Sequence, residues 1–230
     1  MKRYSMLGAA LVALTMAGTS FAAPAIDWDP AYYYEAGATF SSSTPGNELR
    51  IVGLVSAFGP PFSDLDANDP TKEYTFLVSG LISNGTTTVG SPGLQFYTTT
   101  YTGGTITLYE GTPRNSVFDP SPPNANVPST FVDGTVLLTG IISNFFTQAN
   151  DFTTFQVGNS EGVITWTGGS LFSRVSAGGF PCPSLFTGGM TWRPSVMIAG
   201  YLFRHDGKID VDCPTSARSS TWGSIKSLYR

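Results

Sequence analysis

Asp64, Asp66 and Asn68 alternate along one short stretch, like the first oxygen ligands of a calcium loop, where several oxygens must converge on a hard cation. The match to the best-known calcium loop then breaks. Asp69 stands where glycine allows the sharp turn, and Thr75 where a bidentate glutamate closes the site. Two readings stay open: a Ca2+ site of another loop type, or an Asp/Asn-rich turn whose side chains bond the local backbone. Glycoside hydrolysis would need two carboxyl groups facing one sugar. The glutamates Glu35, Glu48, Glu73, Glu110 and Glu161 show no spacing that selects a pair. His205 is the sole histidine, so a serine-histidine-aspartate arrangement would have to use it. Its context, Arg204-His205-Asp206-Gly207, reads as a tight turn, and no serine sits in a nucleophile-elbow context. No catalytic residue is assigned.

Aromatic side chains are the richer resource. Tyr32, Tyr33 and Tyr34 run consecutively, so in a strand at least one ring faces away from the core. Tyr97, Tyr101, Trp166 and Trp192 fall in strands or at their ends. Sugar rings carry apolar C–H faces that pack on flat aromatic surfaces, with hydroxyl-bonding groups around them. Tyr33, Tyr97, Tyr101, Trp166 and Trp192 are therefore candidate glycan-binding residues, although for any one of them core filling is the favoured reading, because aromatics favour strands and interiors. Cys182 and Cys213 are the only cysteines, and in an oxidising compartment they are expected to form one disulfide.

The elements that must position these groups read as strands. Alternating segments Glu48–Phe58, Glu73–Ser83, Leu94–Tyr101, Thr105–Glu110, Thr135–Phe145, Phe152–Val157, Gly162–Thr167, Ser170–Ser176, Val196–Phe203 and Lys208–Asp212 are separated by turn residues. Asn84-Gly85 predicts a turn, Thr102-Gly103-Gly104 a hairpin, and His205-Asp206-Gly207 the last reversal. Gly53, Gly80 and Gly140 each sit in the same apolar context and predict bulges or bends in three similar strands. The expected fold is all-β, an antiparallel β-sandwich or jelly roll of about ten strands over residues 23–213. Thr112–Ser129 contains five prolines and reads as a long loop, either functional or a stiff connection.

Residues 1–22 have the layout of a cleavable signal peptide. Lys2 and Arg3 give the positive end, Met6–Ala17 the apolar run, and Ser20 and Ala22 the small residues before the cut. With Lys2 and Arg3 removed, 12 basic residues become 10 against 16 acidic ones, and the net charge falls from −4 to −6. No basic cluster suited to phosphates is present, so nucleic acid is not an expected partner. No later segment reads as a membrane-spanning helix. Charged residues make up 12% of the chain, about half the usual share, which suits a hydroxyl-rich exported β-protein. After Cys213, residues 214–221 read as a Ser/Thr-rich linker, and Trp222–Arg230 as an apolar-basic tail that docks, anchors or simply packs.

Several short segments carry a likeness: Asp64-Leu65-Asp66 before Glu73-Tyr74-Thr75-Phe76, Pro122–Pro128 leading to Phe131-Val132-Asp133-Gly134, Trp166-Thr167-Gly168-Gly169, and Trp222–Lys226. In these the chain resembles uncharacterised secreted bacterial β-sandwich proteins. The resemblance implies a periplasmic, cell-surface or extracellular setting and transfers no activity. The leading expectation is a non-enzymatic module binding a polysaccharide or another envelope component. A structural or assembly component of the surface, and a hydrolase with an unrecognised carboxylate pair, are the alternatives.

Overall fold

The computed structural model describes residues 24–118, 129–152, 155–193 and 195–213. The expected signal peptide, linker and tail lie outside them, as do residues 119–128 of the proline-rich stretch. Alternating, β-branched and aromatic sequence builds β1 (Ile26–Glu35), β2 (Glu48–Phe58), β3 (Glu73–Ser91), β4 (Leu94–Thr102), β5 (Thr105–Gly111), β6 (Thr135–Phe152) and β7 (Phe155–Gly168). Two short strands follow, β8 (Ser176–Ala177) and β9 (Phe180–Pro181), then β10 (Ser184–Thr191) and β11 (Phe203–Val211). The described fold is all-β and antiparallel, with single 3-10 turns at Ser129–Phe131 and Phe172–Val175.

The sheet closes on itself instead of stacking as a sandwich or jelly roll. Each long strand pairs with its successor, and β11 returns to β1, giving an eight-stave barrel. Alternation of inward and outward residues is common to both architectures, so it does not separate them. The curvature comes from bends. Thr102-Gly103-Gly104 is one of these and not a hairpin: β4 and β5 run on in the same direction as one stave, both antiparallel to β3 and to β6. Gly104 has φ +107°, and a Cβ there would fall 2.5 Å from Leu81 Cδ2. Gly80 lies across from it with φ +73°. Asn84-Gly85 is likewise absorbed into β3, where the register to β4 shifts between Ser83 and Thr86. The shift between Thr139 and Gly140 bends β6 against β7.

The last reversal also differs from expectation. His205, Asp206 and Gly207 lie within continuous β11, and residues 196–202 form turns instead of a strand. Gly207 is there for packing: a Cβ would sit 2.6 Å from His205 Cε1 and 2.9 Å from Trp28 Cζ2. The expected strand Ser170–Ser176 is mostly the turn Phe172–Val175.

Large side chains fill the barrel. Trp28, Phe76, Phe145, Trp166 and Phe186 are buried together, and burying each aromatic ring contributes roughly 2–3 kcal/mol. A second cluster, around Tyr32, Val52, Phe131 and Tyr201, sits on the outer face of β1 and β2 beneath the chain before β6 and before β11. Thr75 Oγ1 donates to the Phe131 carbonyl, and Tyr32 OH to that of Val196, which hold those segments down. At the end of the barrel where β10 starts and β11 finishes, Cys182 and Cys213 form a disulfide with Cα atoms 4.8 Å apart. Closing a loop of this length stabilises the fold by about 3–4 kcal/mol in the chain-entropy picture.

Candidate functional site at the barrel mouth

The opposite end, where β1 finishes and β2 begins, is polar inside. Glu35 is the last residue of β1 and its carboxylate is almost fully buried. Tyr101, from β4, donates to Glu35 Oε2 at 3.0 Å, and Ser43, from the β1–β2 loop, donates to Oε1. Ser43 Oγ lies 2.5 Å from Ser83 Oγ; with the Ser43 proton committed to the carboxylate, Ser83 donates to Ser43. Thr86 and Thr99 extend the network at 2.7 Å, and the Ser43 N–H donates to Thr86 Oγ1 at 2.8 Å. Burial, and then the charge of Glu35, pushes the Tyr101 phenol well above its ordinary range, so it stays a donor.

Aromatic rings stand over this floor. Phe40 packs edge-on against Tyr97 and Phe203, at 6.0 and 5.8 Å between centroids, and tilts against Trp192 at 6.3 Å. Trp192 is 40% exposed. Glu35, Ala38, Thr39, Phe40, Trp192 and Gly200–Leu202 line a depression of about 360 Å3. Its combination of flat ring, hydroxyls and an oriented carboxylate suits a polar ligand with an apolar face.

A second polar chain lies deeper. The Trp28 indole N–H donates to His205 Nδ1 at 3.0 Å, which places the imidazole proton on Nε2. Nε2 is 2.9 Å from Ser160 Oγ, which is 2.8 Å from Tyr33 OH. Burial pushes His205 down to about 3, opposed only by the Gly188 backbone, so the ring is neutral. Ser160 therefore faces the protonated nitrogen, which cannot take the serine proton, and both residues are at or below 1% exposure. No substrate reaches them.

On the outer wall, Gly158, Gly188, Gly189 and Gly207 leave a trough of about 480 Å3, flanked by Asp27, Asp206, Lys208, Thr187 and Thr191. Asp27 is raised, by burial first and then by the charge of Asp206. Lys208 pairs with Asp210 at 2.8 Å.

The candidate aromatics separate by depth. Tyr97 and Trp192 both pack on Phe40 at the mouth. Tyr101 is buried beneath them against Phe145, and Tyr33 and Trp166 are inside the barrel, where the Trp166 indole donates to Ser184 Oγ at 2.8 Å. Asp64 is gripped by both Arg174 Nη atoms, which hold its carboxyl below the usual range. Asp66 accepts the Asn68 N–H at 2.9 Å, and Asp69 accepts that of Thr71 at 2.8 Å, as turn residues do. Among the described residues no three His, Cys, Asp or Glu side chains converge on a point that could hold a metal ion. The other glutamates are engaged outside the Glu35 network: Glu73 accepts from Asn115 and Ser116, Glu48 pairs with Arg50, and Glu110 with Lys72. Glu161 faces outward on β7 and is exposed.

Ser43, Ser83, Phe40, Ser160 and the Asp27–Asp206 neighbourhood were invisible to sequence reasoning. Ser43 and Ser83 are 40 residues apart and meet only because the barrel closes. Among the described residues no helix is long and apolar enough to cross a membrane. Compared with protein-family descriptions, with curated proteins and with solved structures, the chain matches none, so its function has to be argued from the geometry of these sites.

Proposed function

We propose that this chain is an exported, non-enzymatic binding module whose barrel mouth takes a sugar unit of a glycan or other envelope polysaccharide. The observation that carries the reading is Trp192, partly exposed beside Phe40 over a depression walled by Glu35 and Thr39. An aromatic face left in water at the rim of a polar depression is an arrangement that a C–H face of a sugar completes. The interior is filled with side chains, so the ligand rests on the mouth and does not enter the barrel. The disulfide and the signal-like residues 1–22 support an oxidising, exported setting. The test is retention of the chain, purified from an exporting host, on a panel of immobilised polysaccharides. Retention on one of them, lost in Trp192→Ala, is the expected result. No retention at all, or equal retention of the variant, overturns the proposal.

A second reading, hydrolysis, has one observation behind it: Asp27 and Asp206 flank one trough, and the first is raised partly by the second. Release of reducing ends from the same panel, abolished by Asp206→Asn, would replace the binding reading with this one.

A further inference from the structure

β3 and β6 are longer than barrel closure requires. Beyond the point where β2 stops pairing with β3, residues 84–91 of β3, 94–101 of β4 and 146–152 of β6 run on as a flap that stays joined to the barrel wall through β7 and β10. On its β3 side the flap has an open edge. The β1–β2 loop covers that edge as far as Thr86: Gly46 N–H donates to the Ser83 carbonyl at 2.9 Å, and Ser43 N–H to Thr86 Oγ1. From Thr87 to Ser91 the strand pairs with β4 on one side, and no described strand pairs with the other. All five residues are exposed, Val89 at 69%.

Open edges in folded proteins normally carry a charge, a proline or a covering element, because unpaired N–H and C=O groups template further pairing. The run Asn84–Ser91 contains no charged residue and no proline. Its outer face continues into an apolar tip. Val89 is in register with Phe96, and Leu94, 49% exposed, with Phe152; the Phe96 and Phe152 rings are 6.2 Å apart.

We propose that a second copy of this chain closes this edge, pairing antiparallel with it about a two-fold axis normal to the flap. Self-complementarity argues for a copy. A foreign peptide is selected by charged or pocketed subsites along the edge, whereas this strand is uncharged and meets its own copy without like-charge repulsion. The two-fold also restricts the register. Residues opposite one another across an antiparallel pair share a face, so the axis must pass through a residue and not between two. The register that buries the most apolar surface sets Val89 against Val89 of the partner subunit. Thr87 then faces Ser91 of the partner subunit, and the two flaps become one continuous sheet. Five residues a side is a small interface, so the association is weak.

The test is sedimentation equilibrium of the full chain from an exporting host, up to about 200 μM, well into the range that a small interface requires. The wild type is expected to approach twice the monomer mass. Val89→Lys and Val89→Glu are each expected to remain monomeric with unchanged circular dichroism, since the side chain stands in solvent. An equimolar mixture of the two is expected to dimerise again. A monomeric wild type at the highest concentration, a lysine variant that associates like the wild type, or a mixture that stays monomeric would each overturn the proposal.

Discussion

Two clusters of hydroxyl and ionisable groups share this barrel. In the deep one, Trp28, His205, Ser160 and Tyr33 bond in series. In the other, Tyr101 and Ser43 bond to Glu35 beneath the mouth, with Ser83 behind Ser43. The deep chain has the more reactive-looking chemistry, a serine against an imidazole, yet it is shut away from water. The mouth cluster has no imidazole but abuts a depression with a partly exposed ring above it. Residue type and hydrogen-bond geometry are therefore poor guides to function in this molecule. Access to solvent separates the two: the deep chain specifies the packing, and the mouth is available to a ligand.

The sharpest way to break that division is His205→Ala. It removes a fully buried ring and leaves the Trp28 N–H without its acceptor, while Ser160 keeps Tyr33. The expected loss is about 3–5 kcal/mol in urea unfolding, from cavity formation and the unsatisfied indole donor together. A loss below about 1 kcal/mol would mean that the deep chain is not structural. Glycan retention by the folded variant should be unchanged.

The same residue gives the pH dependence a sign. His205 titrates near its ordinary 6.5 when unfolded and is pushed down to about 3 when folded. Below 6.5 the unfolded chain therefore takes up a proton that the folded chain does not. The contribution is complete above pH 6.5 and is lost as pH falls towards 3, at about 1.4 kcal/mol per pH unit. Stability measured against pH in wild type and His205→Gln isolates it: the difference between the curves should narrow on acidification across that window. Parallel curves would show that the ring is not held neutral.

The sequence showed less of this than of the fold class. Strand positions were legible where alternation is clean, as in β2, β4 and β5, because inward and outward residues differ in polarity. Closure was not legible, since a barrel stave and a sandwich strand have the same period of two. Glycine misled three times for one reason. Asn84-Gly85, Gly103-Gly104 and Gly207 read as reversals, but the first two bend staves and Gly207 makes room for the His205 and Trp28 rings. Turn glycines and packing glycines are indistinguishable until their neighbours are known. For the mouth, Tyr97, Tyr101 and Trp192 could be singled out as aromatics, while Ser43 and Ser83 carry no local signal at all. Their role arises only from strands brought together by the fold.

At the mouth, Tyr101→Phe removes one donor from a buried carboxylate and keeps the ring in place. A hydrogen bond to a charged group contributes about 1.5–3 kcal/mol, so a loss in that range is expected in urea unfolding. It should be smaller than that of His205→Ala, because Ser43 still holds Glu35. Equal losses would make the mouth as structural as the deep chain and remove the contrast between them.

Trp192→Ala is expected to change stability least and binding most. The side chain is 40% exposed and its ring contact with Phe40 is loose, so unfolding should shift by no more than about 0.5 kcal/mol. Retention on the bound polysaccharide should fall at least about tenfold, the worth of one aromatic face against a sugar. Trp192→Phe, which keeps a smaller flat surface, should lie between the two. Paired with His205→Ala, this variant tests the division from both sides. One substitution costs stability and spares binding, and the other spares stability and costs binding. If Trp192→Ala instead unfolds the chain, the ring is a lid on the barrel's core, and the open face would have to be sought in the Asp27–Asp206 trough.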